Sequence, residues 1–245
     1  MTSSGEWFRS WFGDTYLALY PHRDEEEAEM AVRLLHPLLG ERRNACILDL
    51  ACGAGRHLRA MARADLSPVG FDLSPTLLAE ARRSAPRPLR LVRGDMRRLP
   101  FRRGAFDIVT NFFTSFGYFA APEEDRQVAG EMARVLRDGG AFLLDYLNAA
   151  RVRASLVPED EDHRGDHTIL QRRWVEGTLV VKRIEVHRPG AEVEVHHERV
   201  RLYEPRDLEG ILAEEGLEVA QRFGDYDGSP FGPDSPRLIL LGRRT

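Results

Sequence analysis

Apolar and polar residues alternate along this chain in two different patterns, and the change between them lies near residue 150. Before it, short apolar runs alternate with stretches whose apolar residues recur at helical spacing, which is typical of βαβ units. We therefore predict a parallel sheet with helices on both faces across residues 46–147. The predicted strands are at 47–50, 68–74, 89–95, 106–113 and 141–147, and helices are predicted at 56–64 and 122–136.

After residue 150, apolar and polar residues alternate one by one, which predicts antiparallel strands joined by hairpins. The alternating runs are 168–175, 178–187 and 192–203. An acidic stretch at 157–166 precedes them and is interpreted as a surface loop. The last predicted elements are a helix at 205–215 and strands at 217–223 and 237–243. Because these last elements are needed to complete the parallel sheet, the hairpins are interpreted as an insertion within one domain.

Two helix starts carry capping signals. Asp24 is positioned to cap a helix at 24–39 that Gly40 would end, and Ser74 followed by Pro75 is a second start signal. Ahead of them, an aromatic-rich segment opens the chain. We interpret it as a lid over a ligand, as a helix packed on the sheet edge, or as both. Its aromatic residues are Trp7, Phe8, Trp11, Phe12, Tyr16 and Tyr20.

Composition narrows the class of protein. The 245 residues carry 35 basic and 39 acidic side chains, a net charge of -4 that argues against a dedicated nucleic-acid binder. All basic residues except Lys182 are Arg, a bias that runs through the whole chain. Cys46 and Cys52 form no Cys-x-x-Cys pair, so neither a disulfide framework nor a zinc site is expected, and a cytoplasmic location is predicted. No signal peptide or membrane span is expected either.

The strongest chemical signal is the stretch Asp49-Leu-Ala-Cys-Gly53-Ala-Gly55, which follows the first predicted strand. Small residues let a ligand approach the backbone, and the next helix offers free N–H groups to an anion. A dinucleotide site would carry a third glycine where this chain has Leu58. The Asp49 carboxylate would repel a pyrophosphate but attract an ammonium or sulfonium group. These residues favour S-adenosylmethionine (SAM) over NAD.

Two more carboxylates follow strand ends. Asp72 ends the second strand and can accept hydrogen bonds from ribose hydroxyls, which fits SAM and NAD alike. Asp95 and Met96 end the third strand, where a carboxylate and a backbone N–H can read adenine. A single acid is most simply a cap or a surface charge, but three acids at successive strand ends around one glycine-rich turn indicate a nucleotide site.

These motifs, in the order ILDLACGAGRH, GFDLSPTLL, GDMRRLPF and FDIVTNFFTSFGY, resemble those of class I SAM-dependent methyltransferases. The resemblance covers about residues 15–243. It implies a Rossmann-like α/β fold with a seven-stranded, mostly parallel sheet whose last strand is antiparallel. It also implies how SAM is held. Asp49, Ala51, Gly53 and Gly55 would hold its methionine part, Asp72 and Leu73 the ribose, Asp95 and Met96 the adenine, and Asn111 and Phe112 would stand beside the methyl group.

The hairpin insertion resembles that of glycine and sugar-nucleotide N-methyltransferases, small-molecule enzymes in which an antiparallel sheet covers the acceptor pocket. Tyr16 and Tyr20 match their N-terminal Tyr-x-x-x-Tyr, which reaches over the cofactor. Ser115-Phe-Gly-Tyr118 resembles their segment after the fourth strand, although several relatives have His where this chain has Tyr118. The Asn/Asp-Pro-Pro-Tyr motif is absent.

We divide the single methyltransferase domain, 1–245, accordingly. The predicted parts are N-terminal lid helices at 1–40, a SAM-binding core at 41–150, an antiparallel β insertion over the acceptor site at 151–203, and the last helix and strands at 204–245.

A general base is needed only if the acceptor must lose a proton. Tyr118 is the favoured catalytic residue, as a base or as a hydrogen-bond donor that orients the acceptor, and a packed aromatic ring is the competing interpretation. Arg237, at the end of a turn-rich loop from Asp225, is available for a carboxylate or phosphate. No metal site is expected, since His196 and His197 point to opposite faces of a strand. The other candidate bases are His22, Tyr146, His187, His196 and His197.

The sequence thus predicts SAM-dependent methyl transfer to a nitrogen or oxygen of a small molecule. A basic cluster between Arg82 and Arg103 supports RNA methylation as an alternative. A non-catalytic SAM-binding protein would carry the same motifs, and an NAD-dependent oxidoreductase is disfavoured by Asp49 and Leu58. Amphipathic hairpins can pair across a dimer axis, so a homodimer is compatible with the sequence. The basic cluster comprises Arg82, Arg83, Arg87, Arg90, Arg93, Arg97, Arg98, Arg102 and Arg103.

Overall fold

A computed structural model describes residues 6–20, 25–39 and 45–245. Four short helices come first: α1 (Phe8–Trp11), α2 (Asp14–Leu19), α3 (Glu25–Arg33) and α4 (His36–Leu39). The alternating part follows: β1 (Ile47–Leu50), α5 (Arg56–Arg63), β2 (Val69–Asp72), α6 (Pro75–Ser84), β3 (Arg90–Arg93), β4 (Phe106–Asn111), α7 (Pro122–Val135) and β5 (Leu136–Leu147).

The rest of the chain contains a second sheet and the elements that return to the first. The second sheet is preceded by α8 (Ala149–Ser155) and consists of β6 (Glu159–Arg164), β7 (His167–Glu176), β8 (Leu179–His187) and β9 (Glu194–Arg201). The chain ends with α9 (Pro205–Glu214), β10 (Leu217–Phe223) and β11 (Arg237–Arg244).

The central sheet has seven strands in the order β10-β11-β5-β4-β1-β2-β3. Its strands are parallel except β11, which runs antiparallel to both neighbours. The chain order reverses between β1 and β4, and in sheets of this type ligands bind at the carboxyl ends of the strands beside such a reversal. The predicted fold is confirmed, including the antiparallel last strand.

The central strands bury both faces, because successive side chains point to opposite sides of the sheet. Leu48 and Val109 belong to one apolar cluster, which also contains the N-terminal Trp7 and Trp11. Ile47 belongs to the apolar cluster on the opposite face of the sheet, which also contains residues of α3. The N-terminal helices therefore pack on two sides of the sheet.

The hairpin insertion forms a separate antiparallel sheet in the order β6-β7-β8-β9. The prediction of a surface loop at 157–166 is wrong, because Glu159–Arg164 is the edge strand β6, paired with β7. Two of its acidic side chains contact arginines of β7. Arg172 contacts Glu159 at 3.2 Å, and Arg173 pairs with Asp160. Cross-strand ion pairs thus stabilise a segment that polarity alone suggested was a loop.

Helix boundaries differ from prediction in two further places. The helix predicted at 24–39 is two helices, because Pro37 has no N–H to donate to the carbonyl of Arg33, where α3 ends. Asp24 and Gly40, its predicted ends, lie outside the described residues. The short helix α8 was not predicted. Among the described residues, the helices are too short or too polar to cross a membrane.

Candidate functional site

A cavity of about 570 Å³ lies at the carboxyl ends of the first four strands. The N-terminal segment forms one of its walls. Asp49, Gly55 and Asn111 are not among its lining residues and lie behind its wall. The predicted site residues that line it are Tyr16, Tyr20, Ala51, Gly53, Asp72, Leu73, Asp95, Met96, Phe112 and Tyr118.

The glycine-rich turn after β1 requires unusual backbone conformations. Ala51, Gly53 and Gly55 have positive φ values of 59°, 54° and 76°. At Gly55, a Cβ atom would come within 3.0 Å of the Cβ of Ala81 in α6. Glycine therefore lets α5 start close to α6 at the cavity floor.

Asp49 is buried behind this turn with one carboxylate oxygen unused. Thr110 donates a hydrogen bond of 2.9 Å to its Oδ1. Its Oδ2 has no hydrogen-bond partner within the described ranges. Burial raises the pKa of Asp49 to about 7, with a smaller opposing effect of Thr110 and a further upward effect of the Asp72 charge. A cationic group nearby would restore the carboxylate, so this end of the cavity fits an ammonium or sulfonium ligand.

Asn111 completes the buried polar layer behind the wall. Its Nδ2 donates to the carbonyl of Leu50 at 2.8 Å. Its Oδ1 has no hydrogen-bond partner in the part of the chain that the structure describes. Asn111 thereby joins the ends of β1 and β4.

Asp72 forms the next part of the wall and holds two loops together. Its carboxylate accepts hydrogen bonds of 2.8 Å from the backbone N–H of Gly53 and from that of Ser74. Burial raises its pKa, although these backbone donors oppose the shift. Ser74 caps α6 as predicted, accepting from the N–H of Leu77 at 3.1 Å. A carboxylate has further lone pairs, so Asp72 can still accept hydrogen bonds from ligand hydroxyls.

Asp95 is engaged by arginines. Arg97 donates to it through a backbone N–H at 3.0 Å and through its guanidinium at 2.6 Å, and Arg9 contacts it at 3.2 Å. Burial raises the pKa of Asp95, but the hydrogen bonds and charge of Arg97 outweigh it and leave that pKa below its usual value. Arg97 also pairs with Glu6 and Glu124. Asp95 therefore links the cavity to the N-terminal segment and to α7.

A continuous row of aromatic rings forms the opposite wall. Tyr118 stacks on Phe12 with centroids 5.9 Å apart, and Phe12 meets Tyr16 edge to face at 4.9 Å. Tyr16 lies 5.1 Å from Tyr20. The π faces of such rings attract cations, including ammonium and sulfonium groups. Tyr118 stacks on Phe12 and also lines the cavity, so the packed-ring interpretation is confirmed and its role toward a ligand stays a prediction.

The loop after β4 is held in an uncommon conformation by Asp145. Phe113 and Thr114 have positive φ values of 59° and 54°, rare for residues with side chains. The Asp145 carboxylate accepts the N–H of Phe113 at 2.7 Å, and its carbonyl accepts the N–H of Thr114 at 3.0 Å. Because Phe113 lines the cavity, Asp145 determines the shape of this wall.

Arg237 does not present its charge to a ligand, so that expectation is wrong. It pairs with the fully buried Asp145 at 2.8 Å, and its guanidinium lies 5.0 Å from the rings of both Phe113 and Tyr226. Tyr226 donates to the same carboxylate. A buried carboxylate requires such partners, and Arg237 directs two of its guanidinium nitrogens at Asp145.

The other predicted bases lie away from the cavity. Tyr146 is fully buried and donates to the carbonyl of Arg201, and burial raises its pKa well above the usual value. His196 packs against Trp11 with centroids 4.5 Å apart. His187 and His197 are also in the second sheet and do not line the cavity. His22 lies outside the described residues.

Sequence reasoning missed several residues at the site. His57 lines the cavity and stacks on Phe112 with centroids 4.2 Å apart, and Arg56 lies 4.6 Å from the ring of Phe113. Both begin α5 directly after the glycine turn, and that position is a signal for cavity contact. Lys182 does not line the cavity, but its Nζ lies 2.6 Å from the hydroxyl of Tyr20, which does; it too was missed, although the sequence shows that it is the only lysine.

The basic cluster is partly neutralised. Arg83 pairs with Glu80 at 2.8 Å and Arg97 with Asp95, while Arg93 donates to the carbonyl of Leu73 at 3.2 Å. These contacts engage guanidinium groups with the protein itself. Within residues 6–20, 25–39 and 45–245, no group of three His, Cys, Asp or Glu side chains is arranged to hold a metal ion.

Comparisons with known proteins agree with this geometry. A family model described as a methyltransferase domain matches residues 47–140. The dTDP-3-amino-3,6-dideoxy-alpha-D-glucopyranose N,N-dimethyltransferase of Streptomyces fradiae is 31% identical over 205 residues, which cover 81% of this chain and 78% of that protein. The cypemycin N-terminal methyltransferase of a Streptomyces species is 28% identical over 208 residues, covering 81% and 82%.

A solved structure of similar fold is the SAM-bound amino pentose methyltransferase from Micromonospora echinaspora. It superposes with a TM-score of 0.69 at 24% identity and covers 95% of this chain and 97% of that one.

Proposed function

This chain belongs to the SAM-dependent methyltransferases, and from that premise we propose that it methylates an amine nitrogen of a small molecule inside the described cavity. The observation that carries the proposal is the buried Asp49 carboxylate with an unused oxygen, placed among three strand-end acids beside an aromatic wall. When bound, SAM supplies an electrophilic methyl group on a sulfonium. Transfer of that methyl group leaves a neutral thioether.

The cofactor end of the cavity would bind each part of SAM through a different set of residues. Asp49, with the turn at Ala51, Gly53 and Gly55, would stabilise the positively charged methionine part. Asp49 would act from behind the wall, through its charge, because it does not line the cavity. Asp72 and Leu73 would hold the ribose, and Asp95 and Met96 the adenine. Asn111 would fix the strand ends, and Phe112 would face the methyl group.

An amine acceptor is supported by two observations. Of the two relatives described above, one is named as an N,N-dimethyltransferase of an amino sugar and the other as an N-terminal methyltransferase. In addition, the wall from Tyr118 to Tyr20 presents aromatic rings, which attract ammonium groups. The acceptor would approach along this wall as a cation and lose a proton before its lone pair attacks.

The residues of the acceptor end would align the amine and exclude water, since a sulfonium needs no activation to leave. Tyr16 and Tyr20 would reach over the cofactor, and Tyr118 would orient the acceptor through its hydroxyl group. The second sheet would cover the acceptor. Trp11 donates to Glu198 of β9 at 2.7 Å, and Thr15 donates to Glu194 at 2.9 Å, so the N-terminal wall and the insertion are joined.

The proposed parts of the chain keep their predicted bounds: lid helices at 1–40, SAM-binding core at 41–150, covering insertion at 151–203 and closing elements at 204–245.

A homodimer through the hairpins and a cytoplasmic location also stay predictions. Light scattering of the purified protein tests the dimer, and a monomer at micromolar concentration would contradict it.

A methyl-transfer panel tests the proposed function. Purified protein is incubated with methyl-labelled SAM and each of four acceptors: a nucleotide-linked amino sugar, its hydroxyl analogue, a short peptide with a free N-terminus, and total RNA. We expect label on one or both amine acceptors and none on the hydroxyl analogue or RNA. Asp49→Asn serves as a matched variant that should lose transfer while remaining folded. Labelling of RNA, or of the hydroxyl analogue alone, would contradict the proposal.

A further inference from the structure

The only lysine of the chain occupies a largely buried position beside the cavity wall. Lys182 lies on β8 with its side chain 16% exposed, whereas the other 34 basic residues are arginines. Arginine stays protonated under all ordinary conditions, but a buried lysine can lose its proton. Position 182 therefore differs chemically from the other basic positions, because its side chain can lose a proton and an arginine cannot.

Lys182 is directed at an aromatic residue of the cavity. Its Nζ lies 2.6 Å from the hydroxyl oxygen of Tyr20, which lines the cavity at the end of the aromatic wall. The same Nζ is 3.5 Å from the carboxylate of Glu198. Glu198 in turn accepts the indole N–H of Trp11 at 2.7 Å, which fixes the N-terminal segment over β8 and β9.

The surroundings of Lys182 favour release of its proton more than those of a surface lysine. Burial lowers its pKa below the usual value, Glu198 opposes that shift, and Arg173 adds to it. The charged and titratable groups that face Lys182 come from the N-terminal segment and from three strands. They are Tyr20, Asp160 in β6, Arg173 in β7, and Glu198 with His196 in β9.

We propose that Lys182 is a positioning residue that acts through Tyr20, holding the Tyr20 hydroxyl at the cavity and receiving the proton that an acceptor ammonium releases. This inference rests on the proposed amine methylation and adds the group that makes the amine nucleophilic.

The proton transfer balances without any further reactant. An N–H bond of the acceptor ammonium breaks as its proton goes to the Tyr20 oxygen. In molecules whose Lys182 has already released a proton to water, the original O–H bond of Tyr20 breaks as that proton goes to the neutral Nζ of Lys182. The products are a neutral acceptor amine with a free electron pair, a neutral tyrosine, and a Lys182 ammonium beside Glu198. Lys182 later returns its proton to water.

Four variants separate proton transfer from packing. Lys182→Arg keeps the charge but cannot release a proton, and Lys182→Met keeps the apolar stem. Tyr20→Phe removes the hydroxyl through which Lys182 would act on the cavity. Arg183→Met is the control, because Arg183 is the next residue of β8 and therefore lies on the opposite face of the sheet. Circular dichroism and calorimetric binding of SAM verify that each variant is folded.

The readout is the single-turnover rate of amine methylation as a function of pH. Below the acceptor's own ammonium pKa, we expect Lys182→Arg, Lys182→Met and Tyr20→Phe each to be slower than wild type by about 10- to 100-fold. Combining Lys182→Met with Tyr20→Phe should add little to either loss. Above that acceptor pKa the defect should shrink, because solvent then supplies the neutral amine. Arg183→Met should match wild type throughout.

Two results overturn the inference, and they are distinguishable. If wild type methylates the amine and Lys182→Arg has the same rate and pH profile, or a loss that is equal at every pH, Lys182 does not take part in proton transfer. If wild type binds SAM but methylates no amine, the proposed function fails, and this inference fails with it.

Discussion

The two ends of the cavity are built in different ways. The cofactor end consists of strand ends and the turns that follow them, so residues that act together, such as Asp72 and Ser74, lie close in the sequence. The acceptor end is assembled from distant segments. Trp11 bonds a residue 187 positions away, and Lys182 one that is 162 positions away. Local motifs therefore specify the cofactor, whereas acceptor recognition depends on long-range packing.

Breaking the support of the loop after β4 should have the largest effect. Asp145→Asn would leave Arg237 as an uncompensated buried cation and weaken the hold on Phe113. We expect the free energy of unfolding to fall by about 3–5 kcal/mol, as when other buried ion pairs are broken. Urea denaturation measures it, and SAM affinity of the folded fraction should change little.

The control for Asp145→Asn is an exposed ion pair. Arg126 and Glu214 are 3.1 Å apart with both side chains solvent-accessible. Arg126→Gln should therefore cost less than about 1 kcal/mol. Equal costs for the two variants would show that Asp145 does not support the loop.

At the cofactor end, Asp72→Ala tests whether one strand-end carboxylate governs binding. Loss of the carboxylate that accepts hydrogen bonds from two ligand hydroxyls should weaken SAM binding by about 100-fold, or close to 3 kcal/mol. Calorimetry with SAM measures this loss. Asp138→Ala is the control, since Asp138 is exposed near the start of β5 and does not line the cavity. A change of less than threefold in Asp72→Ala would contradict the proposed ribose contact.

The pH dependence of SAM binding tests Asp49. Its pKa is about 7 in the free protein, and a bound cation favours the ionised form. Binding must therefore release a proton at low pH, and affinity should rise about tenfold between pH 6 and pH 8. Asp49→Asn should bind more weakly, with no such dependence. An unchanged pH profile in Asp49→Asn would exclude this carboxylate as the titrating group.

Asp49 also affects the stability of the free protein, with a predictable sign. Because its folded-state pKa is raised, the folded state holds its proton more tightly than the unfolded state does. The resulting stabilisation is present below about pH 4 and is lost as the pH rises towards about 7. The melting temperature of ligand-free Asp49→Asn should therefore exceed that of wild type at pH 8, and the difference should vanish at pH 4.

The smallest effect is expected at Tyr118. Tyr118→Phe removes one hydroxyl but keeps the ring that stacks on Phe12. A lost hydrogen bond of about 1 kcal/mol should lower methyl transfer about fivefold, with SAM affinity within twofold of wild type. Steady-state kinetics and calorimetry measure the two. Wild-type turnover would remove the Tyr118 hydroxyl from the mechanism.

Sequence reasoning predicted the fold of the core and the glycine-rich turn, because their signals are local. Ser74 before Pro75, and the short apolar strands, act within a few residues of where they stand. It failed where partners are distant. The strand at Glu159–Arg164 pairs with β7, whose arginines contact two of its acids, and the charge of Arg237 is paired with Asp145. No local pattern identifies such partners.

The most direct test of the two-ended cavity is a crystal structure with S-adenosylhomocysteine bound. We predict its amino group on the Asp49 side of the glycine turn, its ribose hydroxyls on Asp72 and its adenine beside Asp95 and Met96. The space between Tyr118 and Tyr20 should stay open for the acceptor. Binding of the nucleoside along the aromatic wall, or outside the cavity, would contradict this account.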